Sequence, residues 1–98
     1  MTINKTANGN DLTVQVIGRL DTTTAPQLDA EFKQTLGGVK TLVLDFSELA
    51  YLSSAGLRVL LSAQKTMKKQ GKMILRHVNE TIMEIFEVTG FSDILTIE

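Results

Sequence analysis

TLVLDFSELAYLSSAGLRVLLSA, residues 41–63, contains the change of period that decides the fold. Thr41, Leu42, Val43, Leu44, Asp45 and Phe46 form a nearly continuous apolar run of strand length. Such a run predicts a central strand covered on both faces. Ser47 to Leu52 then reads as a loop. From Ala55 the spacing becomes helical, with Leu57, Leu60 and Leu61 on one face. Ser53 or Ser54 stands where an N-cap belongs, because a serine oxygen there can accept a free first-turn N–H. Gly56 lowers helix propensity, but it lets another backbone or a partner come close.

Upstream, Thr2 to Ala7 is a weak strand candidate. Asn8-Gly9-Asn10 follows, and Asn-Gly is a hairpin signal because both residues tolerate positive φ. Leu12, Val14 and Val16 alternate with Thr13 and Gln15, which predicts an antiparallel partner strand with one buried face. A helix follows the Leu20 to Thr24 segment. Thr24 with Gln27 matches a capping box, and Pro26 suits a first turn, where no N–H is needed. Ala25, Leu28, Phe32 and Leu36 make one apolar stripe, and Gly37-Gly38 ends the helix.

Downstream, the second helix is expected to reach about Gln70, with Gly71 in the left-handed conformation of a helix end. Lys65, Lys68 and Lys69 suit the carbonyl end of its macrodipole. Met73, Ile74 and Leu75 form another buried strand. Asn79 caps a third helix carrying Ile82, Ile85 and Phe86. Gly90 takes the left-handed position at its end, with Phe91 folding back toward Phe86. Ile94 to Ile97 is a last short apolar piece. Two strands followed by helix, strand, helix, strand, helix describe a single α/β domain over residues 1–98. Its sheet is mixed and mostly parallel, with an N-terminal antiparallel hairpin strand, helices packed on it and right-handed crossovers.

Composition narrows the function. Ten Lys and Arg against 11 Asp and Glu leave a net charge of -1, which argues against binding nucleic acid through its phosphates. There are no cysteines, hence no disulfides or thiolate metal sites. The N-terminus lacks the apolar core of a signal peptide, and no apolar run reaches membrane-spanning length. A cytoplasmic protein without membrane contact is expected.

Parallel strands ending at Leu20 and Phe46 would bring Asp21, Thr22 to Thr24, Asp45 and Ser53-Ser54 to one sheet edge, where open α/β sheets place their sites. The chemistry there does not read as catalysis. His77 is the only histidine and has no triad spacing, so it reads as a structural or surface residue. No glycine precedes the serine as in a nucleophile elbow, and no phosphate-binding loop is present. No acidic cluster has metal-ligand spacing, and no cofactor is implied. Two readings of the serines stay open: plain capping, or phosphorylation. A phosphate adds about -1.5 to -2 charges, which the positive helix end tolerates and a docked partner does not.

Three motifs resemble the STAS domain, in particular the bacterial anti-sigma-factor antagonists. They are Gly18-Arg19-Leu20-Asp21 with Thr24-Ala25-Pro26, then Leu42-Val43-Leu44-Asp45-Phe46, then Leu52-Ser53-Ser54-Ala55-Gly56-Leu57. The resemblance implies a regulator that binds an anti-sigma factor, itself a serine kinase, when unphosphorylated. Phosphorylation releases it, and a serine phosphatase resets it. Aligned on Gly56-Leu57, the family's Asp-Ser-Ser-Gly-Leu pattern puts the phosphoacceptor on Ser54. The family's aspartate falls on Ser53, which makes Ser53 the alternative acceptor. Asp21, Thr22, Thr23, Ser53, Ser54, Ala55 and Gly56 are the expected partner-binding residues. For Asp21, capping its own loop and pairing with a basic group on the kinase stand side by side. The competing function is an unphosphorylated STAS scaffold docking on a transporter or lipid-transport ATPase.

Overall fold

A computed structural model describes residues Met1–Glu98. The chain opens with the antiparallel pair β1 (Thr2–Asn8) and β2 (Asp11–Leu20). Asn8 pairs with Asp11, so the two turn residues are Gly9 and Asn10. Only Gly9 has positive φ, at 63°. The expected Asn8-Gly9 turn is therefore shifted by one residue, and the left-handed position falls on the glycine, which carries no Cβ penalty.

β2 is the strand on which the others are registered. Its first half, Asp11 to Gln15, runs parallel to β3 (Thr41–Asp45). Beyond β3 lie β5 (Lys72–Arg76) and the short β6 (Thr96–Ile97), both parallel. Gly18 has φ 97°. Gly18 to Leu20 pair in parallel with β4 (Leu49–Leu52), where Ala50 is an extra residue between Leu49 and Tyr51, the partners of Gly18 and Arg19. β4 corrects the expected loop at Ser47 to Leu52. Its burial runs buried, exposed, exposed, buried, because Ala50 bulges out of the ladder, so it carries no two-residue period to read.

The helices are α1 (Ala25–Thr35), α2 (Ser54–Gln70) and α3 (Glu80–Thr89). Their buried residues join one cluster with alternate residues of the strands: Leu12, Val14 and Val16, then Leu42 and Leu44, then Met73 and Leu75. The four residues of the α1 stripe, Ala25, Leu28, Phe32 and Leu36, all belong to it. β3 is central, as its composition predicts, but only one of its faces is sealed. Thr41, Val43 and Asp45 on the other face are half-buried, which corrects the expectation of a two-sided cover.

Two expected end signals are replaced by others. Thr24 makes no side-chain capping bond to α1, so the capping box with Gln27 does not form. Gly71 has φ 177°, extended rather than left-handed. A Cβ there would collide with the backbone carbonyl of Lys40, which accepts the Lys72 N–H at 2.9 Å. The glycine supplies room, not handedness. At α3 the expectation holds. Asn79 Oδ1 accepts the Ile82 N–H at 2.9 Å, and Gly90 ends the helix with φ 81°. Phe91 then starts a single 3₁₀ turn and packs against the core.

Candidate functional site

The site begins with the end of β2. Ser53 N–H donates to Leu20 C=O at 2.9 Å, so the last pair of the β2–β4 ladder fixes where α2 starts. The loop after Leu20 and the first turn of α2 therefore lie side by side.

The Asp21 loop is held by its own polar groups. Asp21 Oδ1 accepts the Thr23 N–H at 3.0 Å and the Thr24 N–H at 3.1 Å. The Thr24 hydroxyl accepts the Asp21 N–H at 2.9 Å and donates to Arg19 C=O at 2.8 Å. That hydroxyl is the one expected to cap α1; the loop uses it instead. Partial burial pushes the Asp21 carboxyl's pKa up. Hydrogen bonds from Thr24 N–H, Thr23 N–H, the Thr24 hydroxyl and Arg19 outweigh that and hold it below the ordinary carboxylate value. Asp21 thus performs the loop-capping role, and Thr22 and Thr23 stand exposed beside it.

The two serines differ. Ser53 is the N-cap, with extended backbone at φ -100° and ψ 174°, yet its hydroxyl makes no capping bond. Its Oγ is enclosed and has no hydrogen-bond partner. Ser54 is the first helical residue and is exposed. The N–H groups of Ser54, Ala55 and Gly56 make no intramolecular hydrogen bond, as expected for a first turn. Ala55 is half-buried. Gly56 is buried, and a Cβ on it would lie 2.7 Å from Leu52 Cδ1 and 2.8 Å from Leu20 Cγ. Gly56 seats α2 on the end of the sheet; what comes close to it is the core.

Asp45 does not join the site. It is level with Gln15, five positions before Leu20 and roughly 16 Å short of it. Its Oδ1 accepts the Ser47 N–H at 2.9 Å and turns the chain toward β4. His77 lies exposed after β5, with φ 59°, and is remote from this edge in the sheet order. Two residues that composition and spacing do not single out stand next to the site. Arg19 and Tyr51 are cross-strand neighbours on β2 and β4. The Arg19 guanidinium carbon lies 4.2 Å from the Tyr51 ring centroid, and its Nε is 3.5 Å from Asp21 Oδ2.

Sequence comparison agrees with this architecture. The STAS domain model matches residues 2–98. The chain belongs to the STAS domain family. It is 31% identical over 91 residues to the anti-sigma-B factor antagonist of Bacillus subtilis, covering 92% of this chain and 84% of that one. It is 38% identical over 82 residues to BtrV of Bordetella bronchiseptica, assigned as an anti-sigma factor antagonist, covering 82% and 71%. Among solved structures it resembles an anti-sigma factor antagonist from Mycobacterium paratuberculosis, with TM-score 0.88, 22% identity, and 98% and 83% of the two chains covered. Bacillus SpoIIAA in its phosphorylated form matches with TM-score 0.77 at 19% identity, over 99% and 91%. These last two likenesses concern the STAS fold. No helix of this STAS domain is long and apolar enough to cross a membrane.

Proposed function

We propose that this STAS domain is an anti-sigma-factor antagonist. Unmodified, it binds an anti-sigma factor that is also a serine kinase, and phosphorylation of Ser54 releases it. A serine phosphatase resets the cycle, and all three proteins are cytoplasmic. The observation that carries the reading is the division of labour between the serines. Ser54 offers an exposed hydroxyl on the first turn of α2, beside the exposed Thr22 and Thr23, while the Ser53 hydroxyl is enclosed. A kinase needs the acceptor oxygen free in solvent, which favours Ser54 over Ser53.

The energetics suit a switch. Three unbonded N–H groups and the positive end of a 17-residue helix face the modified position, so the fold tolerates the added charge. A protein packed over Ser54 would meet a bulky dianion in place of a neutral hydroxyl. The names of the sequence relatives support the assignment of partner class. The test is incubation with a catalytically active cognate anti-sigma kinase and ATP, followed by mapping of phosphate by mass spectrometry. Phosphate on Ser54 is the expected result. An unmodified chain, or phosphate elsewhere, refutes the proposal.

A further inference from the structure

We propose that Arg19 and Tyr51 are the anchor of the partner surface, and that Arg19 receives a carboxylate from the docked protein. The inference rests on the reading of the chain as a partner-binding antagonist; it does not depend on which serine is modified.

Tyr51 is one of three large apolar side chains left exposed, at 40%, and it sits on the strand that leads straight into Ser53-Ser54. The others, Val88 and Ile94, lie on or after α3. Arg19 is more open still, its side chain 62% exposed. A long, exposed arginine normally samples many rotamers, and ordering it on binding costs conformational entropy. Here two neighbours order it in advance. The Tyr51 ring lies under the guanidinium at 4.2 Å, and Asp21 Oδ2 takes its Nε at 3.5 Å. Asp21 is itself fixed, because Oδ1 is tied to the backbone of Thr23 and Thr24.

The free atoms define the occupant. Nε is the guanidinium nitrogen that faces Asp21; the two Nη groups have no acceptor in the chain. A guanidinium with both Nη groups free fits a carboxylate in the forked geometry that lysine cannot reproduce. The exposed ring beside them covers apolar surface. Arginine and tyrosine are the residue types that dominate interface energetics when packed this way. Arg19 reaches Asp21 at 3.5 Å, Tyr51 stands three residues before Ser54, and Ser53 N–H is bonded to Leu20 C=O, so a partner docked over the Asp21 loop and Ser54 has this pair as its neighbour.

The test is isothermal titration of a purified anti-sigma factor that binds the unmodified chain, against Arg19→Ala, Arg19→Glu, Tyr51→Ala, Tyr51→Phe and Ser54→Asp. All side chains concerned are exposed, and a Tm within about 4 °C of wild type confirms each fold. Arg19→Ala and Tyr51→Ala should each raise Kd about tenfold or more, and Tyr51→Phe should stay near wild type. Arg19→Glu should bind more weakly than Arg19→Ala, because it sets like charges against each other. Unchanged Kd for Arg19→Ala and Tyr51→Ala overturns the anchor, even where Ser54→Asp still weakens binding. Arg19→Glu binding as tightly as wild type, or tighter, overturns the carboxylate and points to a basic partner group. Weakening by the Arg19 and Tyr51 variants with none by Ser54→Asp supports the anchor and removes the phosphorylation switch.

Discussion

Ser53 donates its backbone N–H to Leu20 C=O across 2.9 Å, and this bond couples the two segments of the site. On one side of it hangs the Asp21 loop; on the other, α2 begins. β4 exists largely to make this junction. It is four residues long, it pairs only with the Gly18 to Leu20 end of β2, and its final residue hands the chain to α2. The helix start therefore cannot drift from the loop without losing the end of a ladder.

The tightest part of that junction is Gly56. Its missing side chain leaves room for Leu20 and Leu52, both buried. Gly56→Ala would force a methyl into this contact, an overpacking cost of about 1–3 kcal/mol, against at most about 1 kcal/mol of regained helix propensity. We expect a net loss of about 1–2 kcal/mol in urea unfolding. Gly71→Ala should cost more, because there the obstacle is the Lys40 backbone carbonyl, already held by Lys72. Equal or reversed effects would contradict the packing described.

A second contrast separates two N-caps. Ser53 has the backbone of a cap and no capping bond, whereas Asn79 caps α3 with Oδ1 and holds Leu49 C=O with Nδ2 at 3.0 Å. Removing a cap usually costs about 1 kcal/mol. Ser53→Ala should fall below that, under about 0.5 kcal/mol, since an enclosed hydroxyl without a partner contributes nothing when lost. Asn79→Ala should exceed it, at about 2 kcal/mol, because both a cap and a tie between α3 and β4 disappear. Thermal unfolding of the two variants side by side decides the matter.

The order of helices and most strands is legible in the sequence because periodicity survives in them. Leu12, Val14 and Val16 alternate, and Ala25, Leu28, Phe32 and Leu36 follow the helical spacing; all seven are buried. The site is half legible. A serine at the start of α2, Ser53 or Ser54, and Asp21 after β2 follow from local signals, and the choice of Ser54 comes from the resemblance. β4 does not, since its own bulged residue, Ala50, erases its alternation, and with β4 unseen the Arg19–Tyr51 neighbourhood is invisible. Asp45 illustrates the opposite error. Two parallel strands ending together is the expectation, but β2 runs on past β3 and pairs with β4 instead. Register is a property of the pair, and neither strand states it alone.

Asp21 supplies a prediction in pH. Its folded pKa lies below the unfolded value of about 3.9, so the ionised form is the one the fold favours. The stability it contributes is present above that unfolded value and is lost as pH falls through the lowered folded one. Asp21→Asn should be less stable than wild type at pH 7, and the gap should close as the pH is lowered past about 4. Urea midpoints measured from pH 7 down to pH 3 test this. A gap that stays constant with pH would mean that shape, not charge, sets the contribution of Asp21.

Stability and binding should part company at Ser54. An acidic side chain on the first turn of α2 faces unbonded N–H groups, an interaction worth about 0.3–1 kcal/mol in its favour. Ser54→Asp should therefore keep or slightly raise Tm, while its single charge imitates part of the phosphate's and weakens binding of the anti-sigma factor. Ser54→Ala should stay close to wild type in both respects but accept no phosphate, leaving the complex unresponsive to ATP. If Ser54→Asp instead lowers Tm by more than about 5 °C, beyond 1 kcal/mol for a domain of this size, the hydroxyl is structural and the switch is lost. The three chains together distinguish an exposed acceptor, whose charge is felt only by a neighbour, from a cap whose loss the fold itself would register.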